Sequence, residues 1–351
     1  MIKIIIADDS AFMRKLLSDL FAKEPDFVVL DTARNGKDAI EKIKILKPDL
    51  VTMDVNMPVM DGLSALEILM KECQIPVVMI SSLTKAGADA TVKALSLGAV
   101  DFIEKVSGPV SSIATIQDEI IAKCRAAVNA NIKRGIYNNF SLKLNHIESI
   151  PKVIKKVNIA YNSEKLIAIG TSTGGPRALQ EVITKLPRDL SCGVVIVQHM
   201  PAGFTKSLAE RLNSLSEVTV KEAENNDIIS AGKVFIAPGN YHMTVENQGD
   251  LRMIKLNQNP PLASHRPAVD VLFDSVAKFG DKVIAVVLTG MGSDGANGMK
   301  KIKASGGYSI AEDQSTAVVY GMPKAVVDFG LADQVLPINE VANELIKLSK
   351  K

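Results

Sequence analysis

Between Ile2 and about Ala130 one pattern recurs five times: a short run rich in β-branched residues, then an amphipathic stretch. The runs are KIIIAD, FVVLDTA, LVTMD, PVVMISS and DFIEK, and Met13, Leu16, Leu17, Leu20 and Phe21 carry the helical spacing between the first two. Few folds accept such a chain. Parallel strands need a crossover after each strand, so five βα units predict a doubly wound parallel sheet with its chemistry at the carboxyl ends of the strands.

The period then fails across NIKRGIYNNFSLKLNHIESIPKVIKKVNIAYNSEK, an Asn- and Lys-rich text that reads as a linker over residues 126–163, its scattered Ile and Leu suited to docking on a domain surface. A second α/β pattern opens at LIAIG and runs through VVIVQHM, KVFIAPG, KVIAVVLTG and YSIAED to a closing helix, INEVANELIKLSK. Within it, YHMTVENQGDLRMIKL alternates around Asn247 to Asp250, which predicts an antiparallel hairpin on an otherwise parallel core. The length of 351 residues, 47% hydrophobic and 23% charged, suits two soluble globular domains. A net charge of +2 supplies no field for non-specific nucleic-acid binding. Cys73, Cys124 and Cys192 are odd in number and outside any metal-ligand spacing, so all three read as small buried hydrophobes. No stretch approaches the roughly 18 apolar residues of a membrane helix, and a cytoplasmic location is expected.

In a parallel sheet the strand ends gather at one edge. Asp8 and Asp9 end the first run, Asp54 the third, Ser81 the fourth and Lys105 the fifth. Three clustered carboxylates are costly unless a hard cation neutralises them, and oxygen-only ligands near a phosphate site suit Mg2+. A hydroxyl and an ammonium facing the same spot can hold the oxygens of a transferred phosphoryl group. Any one of these residues reads equally well as a solvated strand end, whereas five of them at matching ends do not. Residues 1–125 strongly resemble two-component receiver domains. The resemblance implies a flavodoxin-like (βα)5 fold, Asp54 as phosphoacceptor, Asp8, Asp9 and Asp54 as Mg2+ ligands, Ser81 and Lys105 as phosphoryl contacts, and Phe102 as an aromatic switch. Receivers usually carry proline after the lysine, and here Val106 stands in its place. A cis bond to a non-proline residue costs about 2.5–4 kcal/mol, so the Lys105 loop is expected to sit differently while phosphorylation is retained.

LIAIGTSTGGPRAL contains GTSTG, a G-x-S-x-G pattern whose glycines permit a sharp turn that lifts Ser172 out of the sheet. Alone it favours an ordinary strand-to-helix turn, with simple anion binding also open. Dinucleotide and P-loop patterns are absent. A serine needs a base, and the chain has four histidines. His146 lies in the linker as a solvated residue, His199 ends VVIVQH at the edge that carries Ser172, His242 begins the hairpin, and His265 precedes a helix in SHRPAVDVLF. Singly, each reads as a structural histidine or cap. Asp294, in the glycine-rich loop of VIAVVLTGMGSDGANGM, reads alone as a turn-former, yet it supplies the acid that fixes a histidine tautomer. Three complementary residues at three strand ends favour nucleophilic catalysis. Their order, Ser, His, Asp, differs from that of α/β-hydrolases, chymotrypsin and subtilisin, so a different fold must host them.

IGTSTGGP, QHMPAGFTKSLAERL, KVFIAPGNYHM, SHRPAVDVLF and LTGMGSDGANGM resemble, in that order, the motifs of the chemotaxis protein-glutamate methylesterase (CheB) catalytic domain across residues 164–351. Thr171 stands where the family usually has alanine. The resemblance implies a doubly wound, mainly parallel α/β domain that hydrolyses glutamate methyl esters, and glutamine amides, on the cytoplasmic helices of chemoreceptors. It implies Ser172 as nucleophile, His199 as base, Asp294 as its orienting acid, the Met291 backbone N–H as oxyanion donor with Thr173 as a second candidate, and His265 and Arg266 along the substrate groove. A helix start before Pro267 is an equally good reading of the last two. No cofactor is expected for the esterase. A chemotaxis histidine kinase is the implied phosphodonor, the unphosphorylated receiver the implied cover of the active site, and a monomer the expected state. A DNA-binding output would need a basic helix-turn-helix, which the strand-rich second half lacks. The same residues would also suit a small-ester hydrolase, and a receptor-bound scaffold with a dead site would have little need of an intact Ser172, His199 and Asp294.

Overall fold

Each of the five N-terminal runs forms a strand: β1 (Ile2–Ala7), β2 (Phe27–Ala33), β3 (Leu50–Asp54), β4 (Val77–Ser81) and β5 (Asp101–Glu104). They alternate with α1 (Ala11–Ala22), α2 (Gly36–Leu46), α3 (Gly62–Glu72), α4 (Lys85–Leu97) and α5 (Ile113–Val128). The structure, a computed structural model, describes residues 1–105, 113–131 and 165–350; Val106, His146 and most of the 126–163 linker lie outside them. All pairs in this sheet are parallel, in the order β2-β1-β3-β4-β5. Ile4, Ile5, Ile6, Leu50 and Val51 are fully buried, as strands covered on both faces require. Ser10, Asn35, Asp61 and Thr84 start the first four helices by accepting a backbone N–H from the first turn, a cap worth about 1 kcal/mol each.

The second half builds a seven-stranded sheet from β6 (Leu166–Thr171), β7 (Gly193–Gln198), β8 (Thr219–Glu222), β9 (Lys233–Ile236), β12 (Val283–Val287), β13 (Tyr308–Glu312) and β14 (Gln334–Leu336). Its order is β14-β13-β12-β6-β7-β9-β8, parallel throughout. The hairpin of β10 (His242–Gln248) and β11 (Leu251–Asn257) is a separate antiparallel sheet. The helices are α6 (Gly175–Ile183), α7 (Phe204–Leu215), α8 (Val269–Ala277), α9 (Ala296–Ala304), α10 (Met322–Asp328) and α11 (Ile338–Ser349). The hairpin is tied to α8, where the Ser275 hydroxyl accepts the Val245 N–H at 3.0 Å.

The fold follows the sequence pattern with two differences. The edge strands β8 and β14, TVKE and QVL, are too short and polar to show a period. Cys124 and Cys192 are buried as expected, but Cys73 is exposed, which corrects the reading of all three as buried. It caps the carboxyl end of α3, beyond the last buried turn. Among the described residues no helix is long and apolar enough to cross a membrane.

Candidate active site

The first sheet reverses its strand order between β1 and β3, and the carboxyl ends at such a point are where open α/β sheets hold ligands. Asp8, Asp9 and Asp54 bring carboxylate oxygens within 4.8 Å of one another. Burial pushes the Asp8 and Asp54 carboxyls above the usual range against the pull of Lys105, whose Nζ stands 2.6 Å from Asp54 Oδ2 and 3.2 Å from Asp8 Oδ2. Asp8 Oδ2 is buried with only the Lys105 ion pair to answer it among the described residues, so three carboxylates share one ammonium, and this all-oxygen donor set fits a hard divalent cation. The Ser81 hydroxyl is turned toward α4, donating to the Gly87 carbonyl at 3.1 Å. Phe102 of β5 is buried, its ring stacked on Phe204 of α7 with centroids 4.5 Å apart.

In the second sheet the order reverses at β6, flanked by β12 and β7, and those three strands deliver Asp294, Ser172 and His199. Ser172 follows β6 directly. Its N–H donates to the Thr289 carbonyl at 3.0 Å, and its carbonyl accepts from Gly175 N at 2.8 Å and Gln198 Nε2 at 3.0 Å. Gly174 has φ +78, and a Cβ on Gly175 would meet Gln198 Oε1 at 2.0 Å, so this turn tolerates glycine only. His199 Nε2 pairs with Asp294 Oδ2 at 2.8 Å, while its buried Nδ1 has no partner. Asp294 also accepts the N–H groups of Val269 and Asp270 at 2.7 and 2.8 Å, which open α8. Burial raises its carboxyl, but the His199 contact and those two donors outweigh it and hold the group below the usual range.

The remaining sequence candidates fall around this edge. His265 stacks on His199 with ring centroids 3.9 Å apart, and burial together with the neighbouring imidazole pushes it down to about 4. Arg266 is committed to the hairpin side, donating to Asn240 Oδ1 at 2.6 Å and to the Gln258 and Asn259 carbonyls. His242 is a satisfied core histidine, with Nδ1 accepting the Ala268 N–H at 3.3 Å. Met291 is partly exposed, two residues past the Thr289 that suspends Ser172. Thr173 is buried, and its hydroxyl donates to Asp101 Oδ2 of the first domain at 2.5 Å.

That last contact belongs to an interface along α4, β5 and α5. Arg211 Nε donates to Ser96 Oγ at 2.9 Å, and Asn131 bonds Val318 and Ser315 at 3.0 and 3.1 Å. Asp101, Phe204, Gln198 and Glu312 escaped sequence reasoning. Acids or amides at the ends of apolar strands were the available signal for Gln198 and Glu312; none existed for Asp101 and Phe204, whose partners Thr173 and Phe102 lie on the other domain.

Two family matches divide the chain: Response regulator receiver domain over residues 4–117 and CheB methylesterase over residues 167–345. A protein-glutamate methylesterase/protein-glutamine glutaminase of Geobacillus kaustophilus is 47% identical, over 99% of this chain and 98% of its own. One from Pyrococcus horikoshii is 44% identical over 99% and 93%. The crystal structure of the Thermotoga maritima CheB methylesterase catalytic domain is 49% identical with a TM-score of 0.52, covering 52% of this chain and 98% of that one. With its receiver ahead of a methylesterase domain and full-length similarity at this level, the chain belongs to the protein-glutamate methylesterase/protein-glutamine glutaminase family.

Proposed function

We propose that this enzyme removes methyl groups from glutamate side chains, and ammonia from glutamines, on the cytoplasmic helices of chemoreceptors. Ser172 Oγ attacks the ester carbonyl carbon while His199 takes its proton, and Asp294 fixes the ring and stabilises its positive form. The C–O bond to the methoxy group breaks, methanol leaves with the proton from His199, and water resolves the acyl-enzyme to a glutamate carboxylate and free Ser172. The Met291 N–H, with that of Thr173, answers the developing oxyanion; losing one such donor typically costs about 2.7–4 kcal/mol. His265, held neutral against His199, and Arg266, which braces the loop beside it, bound the groove. The observation that carries this reading is the 2.8 Å His199–Asp294 contact, which leaves one ring nitrogen unpartnered at the edge bearing Ser172.

Control lies in the receiver. A chemotaxis histidine kinase would pass its phosphoryl group to Asp54, with Asp8, Asp9 and Asp54 holding Mg2+ and Ser81 and Lys105 turning to the phosphoryl oxygens. The cation supplies charge neutralisation for that transfer. Domain limits of 1–125 and 164–351, with a linker between, suit a cytoplasmic monomer whose receiver covers the site. Phe102 on Phe204 and Asp101 on Thr173 support closure in the unphosphorylated state. Methanol release from methyl-labelled receptor membranes, with and without a phosphodonor, tests both parts. Ser172→Ala should abolish release and Asp54→Asn should abolish the phosphodonor response; equal release by wild type and Ser172→Ala would sink the mechanism, and a surviving response the switch.

A further inference from the structure

β13 ends on an acid for which ester hydrolysis by Ser172, His199 and Asp294 has no direct use. Glu312 is 1% exposed and sits at the carboxyl edge of the catalytic sheet, next to β12. Its Oε2 accepts the Thr289 N–H at 2.7 Å and its Oε1 the Thr316 hydroxyl at 3.1 Å. Thr289, fully buried, is where the site's strands are stitched together. Its carbonyl accepts the Ser172 N–H at 3.0 Å and the Thr171 hydroxyl at 3.1 Å. Its hydroxyl donates to the Thr173 carbonyl at 2.9 Å and accepts the Val319 N–H at 2.9 Å. The next residue, Gly290, is so close that a Cβ on it would stand 2.8 Å from Ser172 Cβ, and Met291 follows. One peptide therefore sets the position of Ser172 and of the Met291 N–H, and a carboxyl anchors that peptide.

We propose that Glu312 is a positioning residue for ester hydrolysis: through Thr289 it holds Ser172 and the Gly290–Met291 loop in register. The proposal rests on the reading of Ser172 as nucleophile. A buried ionisable group is a costly way to satisfy one N–H, and the added property it brings is titration. Burial pushes the Glu312 carboxyl up to about 7, opposed by the Thr289 N–H, the Thr316 hydroxyl and Arg177 of α6 and reinforced by Asp313. Both protonation states keep their partners, because the Thr316 hydroxyl can accept from the acid as well as donate to the carboxylate. Ionisation leaves the register intact and places a negative charge behind the oxyanion loop, which opposes the transition state.

The test uses the full chain with saturating phosphodonor, methanol release from pH 6 to 8, and rates taken per folded molecule. Glu312→Gln keeps an acceptor for Thr289 and loses the titration, so its kcat should stay close to wild type at pH 6. The ratio of wild-type to variant kcat should then fall several-fold by pH 8. Glu312→Ala loses the anchor and should lower kcat by about 100-fold with KM unchanged. A folded Glu312→Ala with wild-type kcat overturns the proposal. A constant wild-type to Gln ratio across the range does the same, even where the alanine variant fails to fold. Loss of activity in Ser172→Ala beside unaffected Glu312 variants removes this proposal alone; full activity in Ser172→Ala removes the nucleophile reading with it.

Discussion

The two sheets gather their candidate site residues in the same way, at a carboxyl edge where strand order reverses, yet they dispose of their acids in opposite ways. In the receiver, Asp8, Asp9 and Asp54 stand together at that edge and one ammonium, Lys105, answers two of them. In the catalytic domain Asp294, Asp270 and Glu312 are all spent inward. Asp294 holds His199 and the start of α8, Asp270 holds Gly298 and Asn297, and Glu312 holds Thr289. The parallel sheet supplies only a crevice. Whether it suits phosphoryl or acyl chemistry depends on whether its carboxylates confront a ligand or organise the backbone around a neutral nucleophile.

The sharpest way to break this contrast is Asp294→Asn. The asparagine amide cannot present two carboxylate oxygens to His199, Val269 and Asp270, so the imidazole loses its fixed tautomer and α8 its N-terminal acceptor. A kcat for methanol release lower by about 10⁴-fold is expected, by analogy with the acid of other triads. A fall of less than tenfold in a folded variant would show that His199 is held by something else.

A smaller effect separates the two sets of acids thermodynamically. The Glu312 carboxyl is raised from its ordinary 4.5 to about 7, so it favours the proton in the folded state. Its contribution to stability is full below about 4.5 and is lost as pH climbs through about 7, a change on the order of 3 kcal/mol. Glu312→Gln, neutral throughout, should keep that stability at pH 8 in urea unfolding of the catalytic domain's transition. Asp8 and Asp54 shift in the same direction, so the receiver also weakens as they ionise, but there Mg2+ should restore it by binding only the folded state. Mg2+ that stabilised both transitions equally would erase the distinction.

Much of this was legible in the residues. Asp8, Asp54, Ser172 and His199 each close or directly follow a run of β-branched residues, and Asp294 lies in the loop after another, so parallel pairing alone groups them at the carboxyl edges of their sheets. Strand order was not legible, because periodicity says that strands exist and not which are neighbours; the adjacency of β13 and β12 is what makes Glu312 a partner of Thr289. Exposure at Cys73 depended on where α3 ends, a boundary that short amphipathic text leaves loose. That the receiver covers the site, with Phe102 as a switch, came only from the resemblance; the particular contacts of Asp101 on Thr173 and Phe102 on Phe204 had no signal in the residues, since partners on another domain leave no period in a strand.

That docked pair gives the last way to sharpen the comparison, because it joins the two sites. Phe102 belongs to the receiver's fifth strand, and its ring lies on Phe204 at the start of α7, close to the loop that carries His199. Asp101 beside it takes the hydroxyl of Thr173, the residue after Ser172. A stacked aromatic pair contributes about 0.5–1.5 kcal/mol beyond its area, so Phe102→Ala should shift a closed receiver toward release and raise unphosphorylated activity by roughly tenfold. Asp101→Asn should act in the same direction, and removing residues 1 to about 150 should give the upper limit. The phosphodonor stimulation should shrink by the same factor as basal activity rises, since both draw on one equilibrium. Basal activity unchanged in folded Phe102→Ala and Asp101→Asn, with stimulation intact, would mean that the receiver governs Ser172 through contacts other than these two.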